Sequence, residues 1–119
     1  MSSKIKISCE MEITLKIIGG KWKPLILHYL MEKGPKRYNE ILRFLQNAHK
    51  KTLTTQLREL EEAGVIQRKV YPTTPVQVEY AITKHGETLY PILEAMCNWG
   101  SSNIGDKYEL THAQCECDK

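Results

Sequence analysis

The spacing of the apolar residues changes at Gly64, and this change constrains the fold of the 119-residue chain more than any other feature. Before Gly64, apolar residues recur at the four-then-three spacing of a helix that buries one side: Leu53, Leu57 and Leu60. After it, residues 65–71 (VIQRKVY) read as a strand and residues 76–82 (VQVEYAI) alternate, with the turn sequence PTTP between them. The sequence therefore predicts a helix over about 50–63, closed by Gly64 and followed by a β-hairpin.

Three further helices are predicted before this unit. The first covers about 10–18 and ends at Gly19-Gly20. The second begins at Trp22 and stops at Lys33-Gly34-Pro35, and the third begins near Arg37. Their apolar residues at core spacing are Trp22, Leu25, Ile26, Tyr29 and Leu30 in the second helix and Tyr38, Ile41, Leu42 and Leu45 in the third.

A last helix is predicted after the hairpin. Thr83 is a suitable N-cap, and Pro91 inside the segment predicts a kink or a late helix start. The order of four helices, a hairpin and a helix is that of a winged helix-turn-helix domain. We therefore expect a mainly α fold with a small β-hairpin wing (α+β).

Length and composition place the chain among single-domain globular proteins. Its mass is 13.8 kDa, with 41% hydrophobic and 26% charged residues. We assign residues 1–104 to one domain and residues 105–119 to an irregular tail that contains cysteines. No apolar run reaches the roughly 20 residues of a membrane span, and no export signal is evident, so we expect a cytoplasmic protein without membrane contact. Four cysteines in a cytoplasmic protein indicate free thiols, redox chemistry or metal binding and argue against a disulfide framework.

Positive charge is concentrated in the middle of the chain. Residues 36–58 carry six basic residues and one acidic residue, a net +5, whereas residues 1–35 carry +3 and residues 59–119 carry −5. A solvated helical face is one explanation, and contact with a polyanion is the other.

The charges of the helix at 50–63 oppose its dipole. Lysines stand at its N-terminus and glutamates at its C-terminus, the reverse of the stabilising arrangement. In the major groove of DNA, the N-terminal half would meet phosphates that the free protein lacks, while the glutamates would stay outside to disfavour wrong docking or to aid solubility. The residues predicted to face double-stranded DNA, opposite the leucines, are Lys50, Lys51, Thr52, Thr55 and Arg58. Arg58 also has Glu62 one turn away, and we expect an ion pair between them in the unbound protein.

Several blocks of the sequence resemble the HxlR-type winged helix-turn-helix regulators, relatives of the MarR group. They run in order from Cys9 to Trp99 and include IGGKW at 18–22, GPKRYNEIL at 34–42 and LTTQLRELEEAGVIQRKVY at 53–71. VEY ending at Tyr80 and IT-x-x-G ending at Gly86 follow. The resemblance implies a homodimer, built by the first and last helices, that binds an inverted-repeat operator and regulates nearby genes.

The remaining DNA contacts are predicted at helix starts and in the wing: Lys21, Lys36, Arg37 and Arg68. The wing tip, Pro72 to Pro75, has no basic residue, and His49 stands at the N-cap of the recognition helix, where the resembling family usually has Ser. The dimer interface is predicted to contain apolar residues of the first and last helices: Ile18, Leu89, Leu93 and Met96.

Cys9 is the candidate redox-sensing residue. It stands near a helix start, where the dipole and nearby lysines favour a thiolate, although Glu10 and Glu12 oppose this. In several members of the resembling family, the cysteine at this place senses oxidants or electrophiles; the other interpretation is a small buried apolar residue. Cys97 is interpreted as a packing residue.

Two other functions remain open. The basic face could bind an acidic protein partner, and the tail motif H-x-x-C-x-C at His112, Cys115 and Cys117 could serve a metal-responsive regulator. The cysteine spacing is narrow and a fourth ligand is lacking, so we predict no metal site and no cofactor. No nucleophile, base or carboxylate grouping indicates an enzyme.

Overall fold

The fold was obtained as a computed structural model that describes residues 3–110. The elements are α1 (Met11–Ile18), α2 (Trp22–Lys33), β1 (Lys36–Arg37), α3 (Tyr38–Leu45), α4 (Lys50–Glu62), β2 (Ile66–Tyr71), β3 (Gln77–Ile82), α5 (Lys84–Glu87) and α6 (Tyr90–Ser102). The helices pack beside a three-stranded antiparallel sheet of order β1-β3-β2. This arrangement confirms the predicted mainly α winged helix-turn-helix with a hairpin wing. Residues 105–110 contain neither helix nor strand, and the tail motif at 112–117 lies outside the described residues.

Local signals set most of the helix ends. Gly64 has φ +78°, the left-handed conformation that closes α4, and Gly34 has φ +83° after α2. Thr83 Oγ1 accepts a hydrogen bond from the Gly86 amide (3.0 Å) and caps α5. Pro91 lies in the first turn of α6, which confirms the late helix start.

The sheet contains one strand that was not predicted from the sequence. Residues 36–37 pair with β3, so that Lys36 lies opposite Tyr80 and Arg37 opposite Glu79. The hairpin itself is regular from the Ile66–Ile82 pair to the Tyr71–Gln77 pair. A two-residue strand has no recognisable period, and its pairing depends on residues that are distant in the chain.

Glycine and threonine join the end of α4 to the start of α5. Thr83 donates its hydroxyl to the Gly64 carbonyl (2.7 Å) and its amide to the Val65 carbonyl (3.1 Å). A Cβ at Gly86 would lie 2.1 Å from the same Val65 oxygen, so only glycine fits there. The IT-x-x-G block therefore fastens the segment that follows α4 to the end of β3 and the start of α5.

The core is built from the long helices and the base of the wing. Buried residues at 2% exposure or less come from α2, α3, α4, β2 and the position just before β2: Ile26, Leu27, Leu30, Ile41, Leu45, Leu53, Leu57, Leu60, Ile66 and Val65. Trp22, Leu25, Tyr29, Tyr38 and Leu42 pack partly buried against them. The buried leucines of α4 confirm that its opposite side faces outward.

The four predicted dimer residues differ in how much surface the single chain leaves exposed. Ile18, Leu89 and Leu93 are 6%, 8% and 4% exposed in the single chain, because they pack into its own core. They retain little surface for a partner. Met96 is 48% exposed, and its apolar neighbours Ile92 and Trp99 are 39% and 70% exposed. On α1, Met11 and Leu15 remain exposed at 65% and 56%.

Candidate nucleic-acid interface

The predicted DNA-facing residues lie on α4 from its first residue to just past its middle. Lys50, Lys51 and Arg58 are exposed, and Thr52 and Thr55 are half-buried at the edges of that face. His49 is the N-cap, and its side chain makes no capping hydrogen bond, as the sequence indicated. None of the three basic residues forms an ion pair with another described residue. The N-terminal amides and the cationic side chains of α4 are therefore both available to an anion.

Polar side chains hold the first turns of α4 in place. The Tyr38 hydroxyl, at the start of α3, donates to the Lys50 carbonyl (2.9 Å) and lies 3.1 Å from Thr54 Oγ1. Thr54 donates to the same Lys50 carbonyl (2.9 Å), and Thr55 donates to the Lys51 carbonyl (3.0 Å). The apolar spacing predicted Tyr38 only as a core residue. Its hydroxyl also fixes the recognition helix to the preceding helix.

Arg58 and Arg68 meet at one surface depression. The depression has a volume of about 320 Å³ and lies between α4 and the wing, with Tyr38, Glu61 and Tyr80 also in its lining. The expected ion pair between Arg58 and Glu62 is absent from the described residues. The Arg58 guanidinium is therefore not paired with the carboxylate one turn further along α4. This depression brings one predicted base-reading residue beside one predicted wing residue.

A second group of basic residues lies on α3, with Arg37 at its N-cap and Arg43 in its last turn. Arg37 and Arg43 line a groove together with Glu40 and Glu79. The Glu40 carboxylate accepts a hydrogen bond from the Arg37 amide (2.9 Å), and this bond lowers the pKa of Glu40 below its ordinary value. Arg43, six residues after Arg37, was not among the predicted contacts, although its position in the basic segment 36–58 was a signal.

Two lysines that were predicted to contact DNA lie over aromatic rings of the protein itself. The ammonium of Lys36 lies 5.9 Å from the ring centroid of Tyr29, and that of Lys21 lies 4.7 Å from the ring centroid of Trp22. Lys21 also lines a cavity with Leu93 and Met96, so it faces the α6 side of the domain. The structure therefore brings Lys21 together with the terminal helix and not with the basic residues of α4.

Cys9 lies just before α1 and is an exposed free thiol. Its sulfur accepts a hydrogen bond from the Met11 amide (3.4 Å), and its own amide donates to the Glu12 carboxylate (3.1 Å). The same carboxylate accepts the Ser8 hydroxyl, which is the main reason that the pKa of Glu12 is lowered. Glu12 is thus used as a cap for the turn. Exposure excludes the interpretation of Cys9 as a buried apolar residue.

Cys97 differs from the sequence interpretation. It is half-buried on α6 and disulfide-bonded, so it is neither a simple packing residue nor a free thiol.

Comparison with known proteins agrees with this geometry. A family model described as HxlR-like helix-turn-helix matches residues 17–108. The chain is 47% identical over 103 residues to the uncharacterized HTH-type transcriptional regulator YkvN of Bacillus subtilis, covering 87% of this chain and 86% of YkvN.

Solved structures give the same result. The redox regulator HypR in its oxidized form matches with TM-score 0.76 and 45% identity, covering 80% of this chain and 97% of HypR. The reduced transcriptional regulator YodB of B. subtilis matches with TM-score 0.72 and 33% identity, covering 87% and 100%. Among residues 3–110, no helix has the length and apolar character needed to cross a membrane. With its winged fold, its exposed basic recognition helix and these matches, the chain belongs to the HxlR-like helix-turn-helix family of transcriptional regulators.

Proposed function

We propose that this protein is a cytoplasmic homodimer that binds an inverted-repeat operator in double-stranded DNA and changes its operator affinity when Cys9 is modified. The observation that carries the DNA-binding proposal is the face of α4 opposite its three buried leucines. That face is cationic over its first half, and its basic side chains have no ionic partner among the described residues. A helix of this kind fits the major groove, with Arg58 at base edges and Lys50 and Lys51 at phosphates.

Exposed apolar surface on the terminal helices supports the dimer. Met11 and Leu15 on α1 and Met96 and Trp99 on α6 are 48–70% exposed in the single chain. Several large apolar side chains exposed on the same helices are often covered by a partner. A two-fold dimer would present two copies of α4, and an inverted repeat has the matching symmetry.

DNA binding is tested by measuring affinity at several salt concentrations for an inverted-repeat fragment and for a scrambled fragment of equal length. We expect preference for the inverted repeat and a steep salt dependence. Lys51→Ala should reduce the slope of log K against log salt by about 0.9 for each phosphate that the side chain no longer neutralises. Lys84→Ala, at an exposed lysine on α5, should leave the slope unchanged. Equal affinity for all fragments would contradict the proposal and favour an acidic protein partner for the same face.

The dimer is tested separately by sedimentation at micromolar concentration. We expect a species of twice the 13.8 kDa chain mass. Met96→Lys should shift the equilibrium toward monomer, because a charge replaces exposed apolar surface, whereas Asn98→Lys, an exposed polar position on α6, should not. A wild-type protein that sediments only as monomer would contradict this part of the proposal.

The position of Cys9 supports control by thiol chemistry. The thiol is exposed and immediately precedes the helix whose apolar side is proposed to reach the partner. HypR, which is described as a redox regulator, has the same fold. Oxidation to sulfenic acid, alkylation, or a disulfide to a cysteine of the partner would add bulk or a covalent link at this seam. The two recognition helices must stand about 34–36 Å apart to occupy successive major grooves, so a small rotation between subunits alters binding.

The control experiment compares wild type with Cys9→Ser, each before and after treatment with diamide or a quinone, in the same operator-binding assay. We expect the treatment to change operator affinity at least tenfold in wild type and not in Cys9→Ser. A tenfold change corresponds to about 1.4 kcal/mol of differential binding. Equal responses of the two proteins would remove Cys9 as the sensing residue.

A further inference from the structure

Three potential metal ligands meet where α2 packs on α6. His28 and Glu32 stand one turn apart on α2, and Glu94 comes from α6. One ligand atom from each lies within 4.8 Å of the other two. The Nε2 atom of His28 is 2.5 Å from Glu94 Oε2 and 3.4 Å from Glu32 Oε1.

The cluster is held by its surroundings. His28 is only 5% exposed, and its ring stacks on Tyr90 with centroids 6.1 Å apart and an angle of 5° between the planes. The Tyr90 hydroxyl donates to Glu32 Oε1 (3.2 Å). Hydrogen bonds of this kind orient the carboxylates and rings of metal sites.

A simple buried ion pair does not account for both carboxylates. One imidazole nitrogen can donate one hydrogen bond of good geometry, and Glu94 takes it at 2.5 Å. Glu32, an exposed residue that accepts the Tyr90 hydroxyl, brings a second negative charge to 3.4 Å from the same nitrogen. Two carboxylates so close together repel each other, and a cation between them would remove the repulsion.

We propose that His28, Glu32 and Glu94 bind one divalent transition-metal ion of the zinc type, with water in the fourth position. One imidazole and two carboxylates form a donor set suited to such an ion, and three protein ligands plus water is a common zinc arrangement. When the ion binds, Nε2 gives up its proton to solvent and the ring carries its proton on Nδ1, so that His28 coordinates as a neutral imidazole and the two carboxylates neutralise the ion's two positive charges.

The required movement is small. Tetrahedral coordination with bonds of about 2.0–2.1 Å places donor atoms about 3.3 Å apart. The Glu32 oxygen already has this separation from Nε2, and the Glu94 oxygen must retreat by about 1 Å. The two carboxylate oxygens, which lie within 4.8 Å of each other, must approach by up to about 1.5 Å. The Glu32 side chain is 31% exposed and gives the ion a route from solvent. The bound ion would tie the terminal helix α6 to the centre of the helical core.

The test measures Zn²⁺ binding to the full chain by calorimetry. The variant is Glu32→Gln/Glu94→Gln, which keeps an acceptor for His28, and the matched control is Glu87→Gln, an exposed glutamate on α5. We expect wild type and control to bind one more Zn²⁺ per chain than the double variant. Cysteines elsewhere are present in all three proteins, so their contribution cancels in the comparison.

Two further measurements identify the ligands. Co²⁺ should give, in wild type and control but not in the double variant, a visible absorption band that appears without a thiolate charge-transfer band. Zn²⁺ should raise the thermal midpoint more in wild type and control than in the double variant, because the ion binds only the folded site. Equal stoichiometry, affinity and midpoint shift in all three proteins would overturn the proposal, and so would a Co²⁺ difference spectrum dominated by thiolate.

Discussion

The two halves of α4 carry charge in different ways. In the first half, Lys50 and Lys51 are exposed and form no ion pair with another described residue. In the second half, Glu59 pairs with Lys23 of α2 at 2.8 Å, and the Lys23 side chain is only 14% exposed. The hydrogen bond and the charge of Lys23 lower the pKa of Glu59.

The charges of both halves oppose the helix dipole. Among the described residues, an ion pair offsets this only in the second half, where Lys23 pairs with Glu59. From sequence, the glutamates were assigned to groove exclusion or solubility, whereas Glu59 also joins α4 to α2. The lysines have no such partner among the described residues, and this is why we propose phosphate for them. An unfavourable charge pattern can therefore reflect a tertiary contact at one end of a helix and a binding surface at the other.

The largest expected effect concerns packing of the second half. Leu60 is fully buried, so Leu60→Ala should cost about 2–5 kcal/mol of unfolding free energy, measured by chemical denaturation. Glu61→Ala, at the exposed neighbouring position, should stay within about 0.5 kcal/mol of wild type. A comparable destabilisation in both variants would show that position along the helix matters more than burial.

The next effect concerns base reading at the boundary between the halves. Arg58→Ala should cost about 1–3 kcal/mol of operator affinity and relax selectivity at one base pair of each half-site, because the guanidinium no longer bonds a base edge. Binding to operators with single substitutions measures this. Glu62→Gln, one turn later, should keep the selectivity. Unchanged selectivity in Arg58→Ala would mean that this part of α4 does not enter the groove.

A smaller effect concerns the anchoring of the first half. Tyr38→Phe removes the hydroxyl that bonds the Lys50 carbonyl and should cost about 0.5–1.5 kcal/mol of unfolding free energy. Tyr108→Phe, at a position that is 68% exposed, is the control and should be neutral. If both substitutions are neutral, the first turn of α4 is held by its leucines alone.

The smallest effect is the pH dependence of the Lys23–Glu59 pair. Because folding lowers the pKa of Glu59 from its ordinary value of 4.5, the pair stabilises the fold above that value and ceases to do so as pH falls through the folded-state pKa. Wild type should therefore be slightly more stable than Glu59→Gln at pH 7, and the difference should vanish in acid. Lys23→Met should reproduce the destabilisation at neutral pH. A difference that persists in acid would assign the effect to packing.

Much of the fold could be predicted from the sequence because it depends on interactions between neighbouring residues. The conformation of Gly64, the Thr83 cap and the late start at Pro91 depend on neighbouring residues only, so they could be predicted without knowing the fold. The leucine spacing of α4 and the alternation of β3 likewise indicated which sides would be buried. From these the exposed basic side of α4 follows directly.

Tertiary structure alone decided which surfaces and groups meet. An apolar stripe indicates that a side is buried but not against what, and so Leu89 and Leu93, predicted at the dimer interface, pack into the chain's own core. His28 and Glu32 are one turn apart and could be paired from sequence, but Glu94 joins them from 66 residues beyond His28. Lys23 finds Glu59 in the same way. These contacts depend on how helices pack across the core, and residue spacing along the chain contains no information about that distance.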